Sequence, residues 1–175
     1  EPRRKTGLAP VVGEAPVVLI LGSFPSEESL RTRQYYANPR NQFWRLIEAS
    51  ICISHDQPYK DRVETLKANG IALWDVLRSC ERKGSSDGKI KMPTALPNDL
   101  TGFLKRNPSI KSVGINGRTA AVYFDRYFSA LRTRGLNILT LPSSSSANTT
   151  QLEKKVQAWS SFVTPTIRRL RQQHG

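Results

Sequence analysis

The densest run of chemically useful side chains is Gln34-Tyr35-Tyr36-Ala37-Asn38-Pro39-Arg40-Asn41-Gln42-Phe43-Trp44, which interleaves aromatics, amides and one cation. Three other segments, Gly22-Ser23-Phe24-Pro25-Ser26, Asn116-Gly117 and Leu141 to Asn148, add hydroxyls, amides and small residues. Such a set suits a planar polar group, held between rings and met at its edges by amides, which donate and accept at once. An everted nucleobase is held in this way. These segments carry no histidine and no paired carboxylates, and neither His55 nor His174 lies near a strand end, so Ser/His/Asp nucleophilic catalysis is disfavoured. Each residue also has a plainer use. Phe43 and Trp44 can plug the core, and Tyr36 suits packing and base stacking equally. Asn41 can cap the helix that follows it, and Asn38 can serve as a turn residue before Pro39. Asn116-Gly117 can be a tight turn. Ser143–Ser146 can be a flexible loop, although hydroxyls and backbone N–H groups also suit phosphates. Asp75 reads as an N-cap after the second strand, with a role at the site as the alternative.

The elements that must position these residues follow from the apolar pattern. Pro16 to Leu21, PVVLIL, reads as a strand buried on both faces. Further strands are expected over Ile71–Val76, Ile110–Ile115 and Leu136–Leu141. Helices are expected over Gln42–Ile53, Pro58–Ala68, Asn98–Arg106, Arg118–Leu131 and Gln151–Val163. Thr164-Pro165 reads as an N-cap with proline at N1, opening a short final helix. Residues 22–41 are expected to be a long ordered loop, and residues 81–93 a mobile surface loop. Residues 1–15 are expected to be a loose N-terminal arm, with one domain over 16–175. Strands alternating with helices imply a single-domain, three-layer α/β/α fold around a short, mainly parallel four-stranded sheet. Ligands of such sheets bind beyond the carboxyl ends of the strands, and the Gly22, Asn116 and Leu141 segments all emerge there.

Composition narrows the partner. The 175 residues hold 27 Lys and Arg against 14 Asp and Glu, a net charge of +13 that is spread along the chain rather than gathered in a tail. Spread basic charge on a folded surface points to a polyanion, with solubility alone as the plainer account. No apolar run is long enough to span a bilayer, and no secretory signal is visible. Cys52 and Cys80 form neither a disulfide framework nor a C-x-x-C metal site, so an intracellular, reduced, metal-free protein without cofactor is expected. The H-x-E and C-x-x-C pattern of zinc-dependent nucleobase deaminases is missing, as are the glycine-rich nucleotide-binding fingerprints.

Taken together, GSFPSEESL at 22–30, QYYANPRNQFW at 34–44, GIALWDVLRSCER at 70–82, INGRTA at 115–120 and LPSSSSAN at 141–148 resemble the hypoxanthine-DNA glycosylase family, a branch of the uracil-DNA glycosylase superfamily. The resemblance spans about residues 16–163. It implies an α/β/α domain that excises a deaminated base from DNA without metal or cofactor. It also implies roles. Gly22, Ser23 and Phe24 lie beneath the everted base, with Pro25, Ser26 and Arg40 toward the DNA. Related mismatch-specific enzymes carry asparagine where this chain has Phe24, which moves the water-holding role to Asn41, with Asn38 as its neighbour. Tyr36 stacks on the base and Asn116 reads its edge. Ser143, Ser144, Ser145, Ser146 and Asn148 press toward the minor groove and pinch phosphates.

The function expected on this basis is monofunctional excision of hypoxanthine by hydrolysis of the N-glycosidic bond, by a monomer, with no strand cleavage. Donors near Asn116 and Ser23 are expected to stabilise the departing purine. The alternatives are a uracil- or xanthine-excising glycosylase and a non-catalytic DNA-binding module on the same fold. RNA binding ranks behind these, since no RNP-like aromatic strand pattern is present.

Overall fold

In the computed structural model, which describes residues 3–173, the run Val18–Gly22 forms a strand (β2) buried along its whole length. It pairs in parallel with Ile71–Asp75 (β3) on one side and Ser112–Asn116 (β6) on the other, and β6 pairs in parallel with Asn137–Leu141 (β7). The order is β3-β2-β6-β7. Side chains alternate across a strand, so each strand feeds both layers. Val18, Ile20, Ile71 and Leu73 face a core built with Phe43, Leu46, Ile47, Trp159 and Val163. Leu19, Leu21, Ala72 and Trp74 face a second core with Phe103, Tyr123 and Phe124. The first core is closed by helices Phe43–Ser50 (α2), Tyr59–Ala68 (α3) and Leu152–Gln173 (α6), the second by Leu100–Arg106 (α4) and Arg118–Phe128 (α5). The three-layer α/β/α expectation, with its short parallel sheet, holds.

Four local expectations do not. Residues 22–41 include a short helix, Glu27–Thr32 (α1); Ser26 caps it by accepting from the Ser29 N–H at 3.1 Å. Residues 4–15 are not loose: Arg4–Thr6 (β1) pairs antiparallel with Leu77–Glu81 (β4), and Val11 bridges to Leu73. Together with Leu96–Pro97 (β5), these strands make a second, three-stranded antiparallel sheet. Residues 81–93 are tied down rather than mobile. The buried Arg82 donates from Nε to the Gly84 carbonyl at 2.8 Å and from Nη2 to the Pro25 carbonyl at 2.5 Å. Finally, Thr164-Pro165 does not open a new helix, because α6 runs straight through Pro165. Proline removes one helical hydrogen bond, but Phe162, Val163 and Ile167 stay buried on either side of it. Thr164 Oγ1 also donates to the Ser50 carbonyl of α2 at 3.2 Å, fixing this turn against its neighbour. Packing outweighs the local break.

Candidate active site

At the carboxyl edge of the sheet lies a cleft of about 530 Å³, within the range of small-molecule sites. It draws on the ends of β2, β3 and β6 and on the loops after β2 and β7. Of the residues singled out from sequence, Gly22, Ser23, Phe24, Pro25, Ser26, Tyr36, Asn38, Asn41, Asn116, Ser143, Ser144, Ser145 and Asn148 all line it. Arg40 and Ser146 do not; both are exposed beside residues that do.

Asn116, the last residue of β6, ties three segments together. Its Nδ2 donates to the Tyr36 hydroxyl at 3.1 Å and to Ser144 Oγ at 2.8 Å, and its Oδ1 accepts from the Ser144 N–H at 2.9 Å. The donors expected to meet a base edge are thus committed to protein partners. Gly117 follows at φ 92°, and a Cβ there would sit 2.8 Å from Ser143 Cβ, so the tight-turn reading and the site reading of Asn-Gly hold at once. The Gln42 N–H, donating to the Ser144 carbonyl at 2.8 Å, joins the aromatic segment to the serine loop.

Asn41 also does two things. Its Oδ1 accepts from the Phe43 N–H at 2.9 Å, securing the start of α2 in the manner of an N-cap. That bond fixes the amide's orientation and leaves Nδ2, which has no hydrogen-bond partner among the described residues, in a residue that lines the cleft. Asn38 is a turn residue: its Oδ1 accepts from the Arg40 N–H at 2.9 Å and its carbonyl from the Asn41 N–H. Tyr36 stacks on Phe43 with centroids 3.9 Å apart and planes at 19°. Its φ of 56° is left-handed, a conformation that a non-glycine residue holds only when its surroundings enforce it. Burial and the neighbouring Asp75 carboxylate push its phenol above the usual range.

Two acidic residues also line the cleft: Asp75, whose place at the site was the alternative to an N-cap, and Asp87, which the sequence did not single out. Asp75 ends β3, is 5% exposed and lines the cleft; no helix follows it, so it is not an N-cap. Asp87 comes from the 81–93 segment and accepts from Ser23 Oγ at 2.8 Å. The cleft therefore does hold paired carboxylates, contrary to expectation. Burial, then the charge of Asp87, raises Asp75 to about 7, against a smaller opposing pull from Arg82. Burial also raises Asp87, while the Ser23 hydrogen bond and Arg82 oppose the rise. Arg82 lies 5.1 Å from the centroid of the buried Phe24 ring, behind the cleft wall.

Lys155 of α6 is a further addition. It is fully buried, and its Nζ donates to Gln42 Oε1 (2.8 Å), the Ser145 carbonyl (3.2 Å) and the Asn148 carbonyl (3.1 Å). It fastens the serine loop from behind. Burial lowers the ammonium below its ordinary range. Lys155→Met keeps the stem and strands three acceptors, each at a cost of about 1–3 kcal/mol if it finds no other partner. The expected result is a lower melting temperature, with amide exchange accelerated first at Asn148, whose N–H donates to the Ser145 carbonyl. Unchanged exchange there removes the fastening role.

Among the described residues no group of three or more His, Cys, Asp or Glu could hold a metal ion, and no helix is long and apolar enough to cross a membrane.

A parallel α/β/α sheet with a cleft of amides, hydroxyls, two carboxyls and one stacked ring at its carboxyl edge defines an α/β domain with a site suited to a planar polar ligand. The chain belongs to the uracil DNA glycosylase superfamily, whose family model matches residues 10–163. It is 40% identical over 156 residues to a protein of Methanosarcina acetivorans named hypoxanthine DNA glycosylase, covering 89% of this chain and 95% of that one. A Methanosarcina barkeri protein of the same name is 37% identical over 157 residues, covering 89% and 96%. A solution NMR structure of a Methanosarcina acetivorans protein, described as a candidate uracil DNA glycosylase, superposes with a TM-score of 0.80 at 38% identity, covering 94% of this chain and 99% of that one.

Proposed function

We propose that this chain is a monomeric DNA glycosylase that everts a deaminated base, hypoxanthine foremost, and hydrolyses its bond to deoxyribose. The observation that carries the reading is the convergence of Tyr36, Asn41 and Asn116 on one cleft, in a chain 37–40% identical to two proteins named for that activity. Eversion costs a few kcal/mol, and less when the base is mispaired. Tyr36, held by Phe43 behind it and by Asn116 at its hydroxyl, offers a fixed ring for the base. Asn41 Nδ2 positions the water that attacks C1′. The serine loop meets phosphates with hydroxyls and N–H groups, and the exposed Arg40 and Arg118 add positive charge at the cleft mouth. No lysine lines the cleft among the described residues, and Lys155 lies behind the loop with three partners. That arrangement favours water over an amine nucleophile and hence release of the base without strand cleavage.

The test is a set of duplex and single-stranded oligonucleotides, each carrying one altered base, followed by alkaline cleavage. Alkali-labile product from deoxyinosine, exceeding that from deoxyuridine, is expected; tight binding with no abasic product defeats the catalytic reading. With about five phosphates contacted, log K should fall against log[salt] with a slope near −4.5. A flat response contradicts a DNA-facing charge.

A further inference from the structure

The departing purine needs a partner for its developing negative charge, and the side-chain donors of Asn116 and Ser23 are occupied. Ser23 Oγ donates to Asp87, and both bonds from Asn116 Nδ2 go to Tyr36 and Ser144. Asn41 Nδ2 is free among the described residues but serves the water, and beside it the cleft offers a carboxyl. Asp75 lines the same cleft, is 95% buried, and its Oδ2 is shielded from solvent without a hydrogen-bond partner. A buried polar atom left without a partner calls for an explanation, and a catalytic role is one that a residue lining a ligand cleft can supply. Room for it is made by Gly22, where a Cβ would clash with Asp75 Oδ1.

We propose that Asp75 is the general acid of the reaction and delivers its proton to the purine as the base leaves. This rests on the glycosylase reading above and assigns a role that reading left open. As C1′–N9 breaks, its electron pair passes into the purine ring and the Asp75 proton passes to N7, so the base departs neutral. Water adds its oxygen to C1′ and releases one proton to solvent. Asp75, now a carboxylate, regains a proton from solvent, and the net change is one water consumed per bond broken.

The surroundings suit the role. A buried carboxyl with another carboxylate nearby resists ionisation, and two acids whose environments differ divide into one neutral and one charged. Asp87 has the Ser23 hydroxyl to stabilise its charge, and Asp75 has no hydrogen bond to its Oδ2. The ionisable groups that act on Asp75 are Asp87 from the 81–93 segment and Arg82 after β4, while the Tyr35 and Tyr36 phenols face it and are themselves raised by its charge. Arg82 alone favours the charged carboxylate, and its effect is smaller than those of burial and Asp87.

The experiment is single-turnover release of hypoxanthine between pH 5 and 9 by wild type and Asp75→Asn. Wild type should lose rate tenfold per pH unit above about 7. Asp75→Asn should be about a hundredfold slower at pH 6 and lack that limb. Its fold is followed by thermal melting. A buried acid raised above its unfolded value binds more protons when folded, so wild type loses stability as pH rises from about 4 to 7. The variant should therefore gain melting temperature over wild type at pH 8 relative to pH 5. A variant within threefold of wild type at pH 6, or a wild-type rate that rises through pH 7, overturns the acid role. A wild-type chain that releases no base at any pH overturns the glycosylase reading itself.

Discussion

Asn41→Ala should slow the release of hypoxanthine about 10²–10³-fold under single turnover, the usual cost of removing one preorganised polar group from a reacting centre. The expectation follows from a division of labour inside one amide. Oδ1 is held by the Phe43 N–H at 2.9 Å, so the side chain cannot rotate without uncapping α2, and Nδ2 is the atom left for a water in the cleft. Alanine removes both functions. The lost cap alone costs about 0.5–2 kcal/mol of stability, which affects melting rather than chemistry. Asn41→Ser separates the two, because serine keeps a capping oxygen and deletes the amide donor. Serine should melt close to wild type and remain as slow as alanine. Should Asn41→Ser turn over at the wild-type rate, the residue is a helix cap and nothing more.

The parts legible in sequence share a physical cause. An unbroken apolar run such as Val17–Leu21 can only be buried on both faces, and that fixes a parallel sheet and the edge where ligands meet it. Residues next to strand ends could then be placed by topology, which is why Ser23, Asn116 and Ser144 fall in one cleft. What the 81–93 segment brings there was not legible. Asp87 sits among serines, glycines and lysines, a composition that reads as solvated loop, and only the buried Arg82 beneath it shows otherwise. Asp75 was half legible: at the end of a strand an acid resembles a cap, and its place in the site stood only as the alternative. Lys155 did leave a signal: it shares the helical spacing of Leu152, Val156 and Trp159, so a cation stood on the apolar stripe of α6. Pro165 misled in the opposite direction, since its local preference was outweighed by the packing of α6 on α2.

Asn116→Ala should lower the rate by a further route and to a similar extent, about 10²–10³-fold, while also weakening the fold. The side chain makes three hydrogen bonds, to Tyr36, Ser144 Oγ and the Ser144 N–H. Losing neutral bonds costs about 1 kcal/mol each where water does not replace them. The cleft is open, so water will replace part of the set, and a net loss of about 2 kcal/mol is expected. For a chain of this size that lowers the melting temperature by about 4–8 °C. The catalytic loss has a different origin. Tyr36 occupies a left-handed backbone conformation, φ 56°, that its neighbours must enforce, and its hydroxyl is anchored by Asn116. Without that anchor the ring can relax, and the serine loop loses its tie to β6. A displacement of about 1 Å in a positioning group can cost 10²-fold. Tyr36→Phe separates the contributions, since it keeps the ring stacked on Phe43 and removes only the anchoring hydroxyl. It should retain most of the melting temperature and show a smaller loss of rate than Asn116→Ala, because the Ser144 bonds remain. Equal losses in the two variants would place the whole effect in the Tyr36 contact. A wild-type rate for Asn116→Ala would mean that the cleft does not need the ends of β6 and the serine loop held together at all.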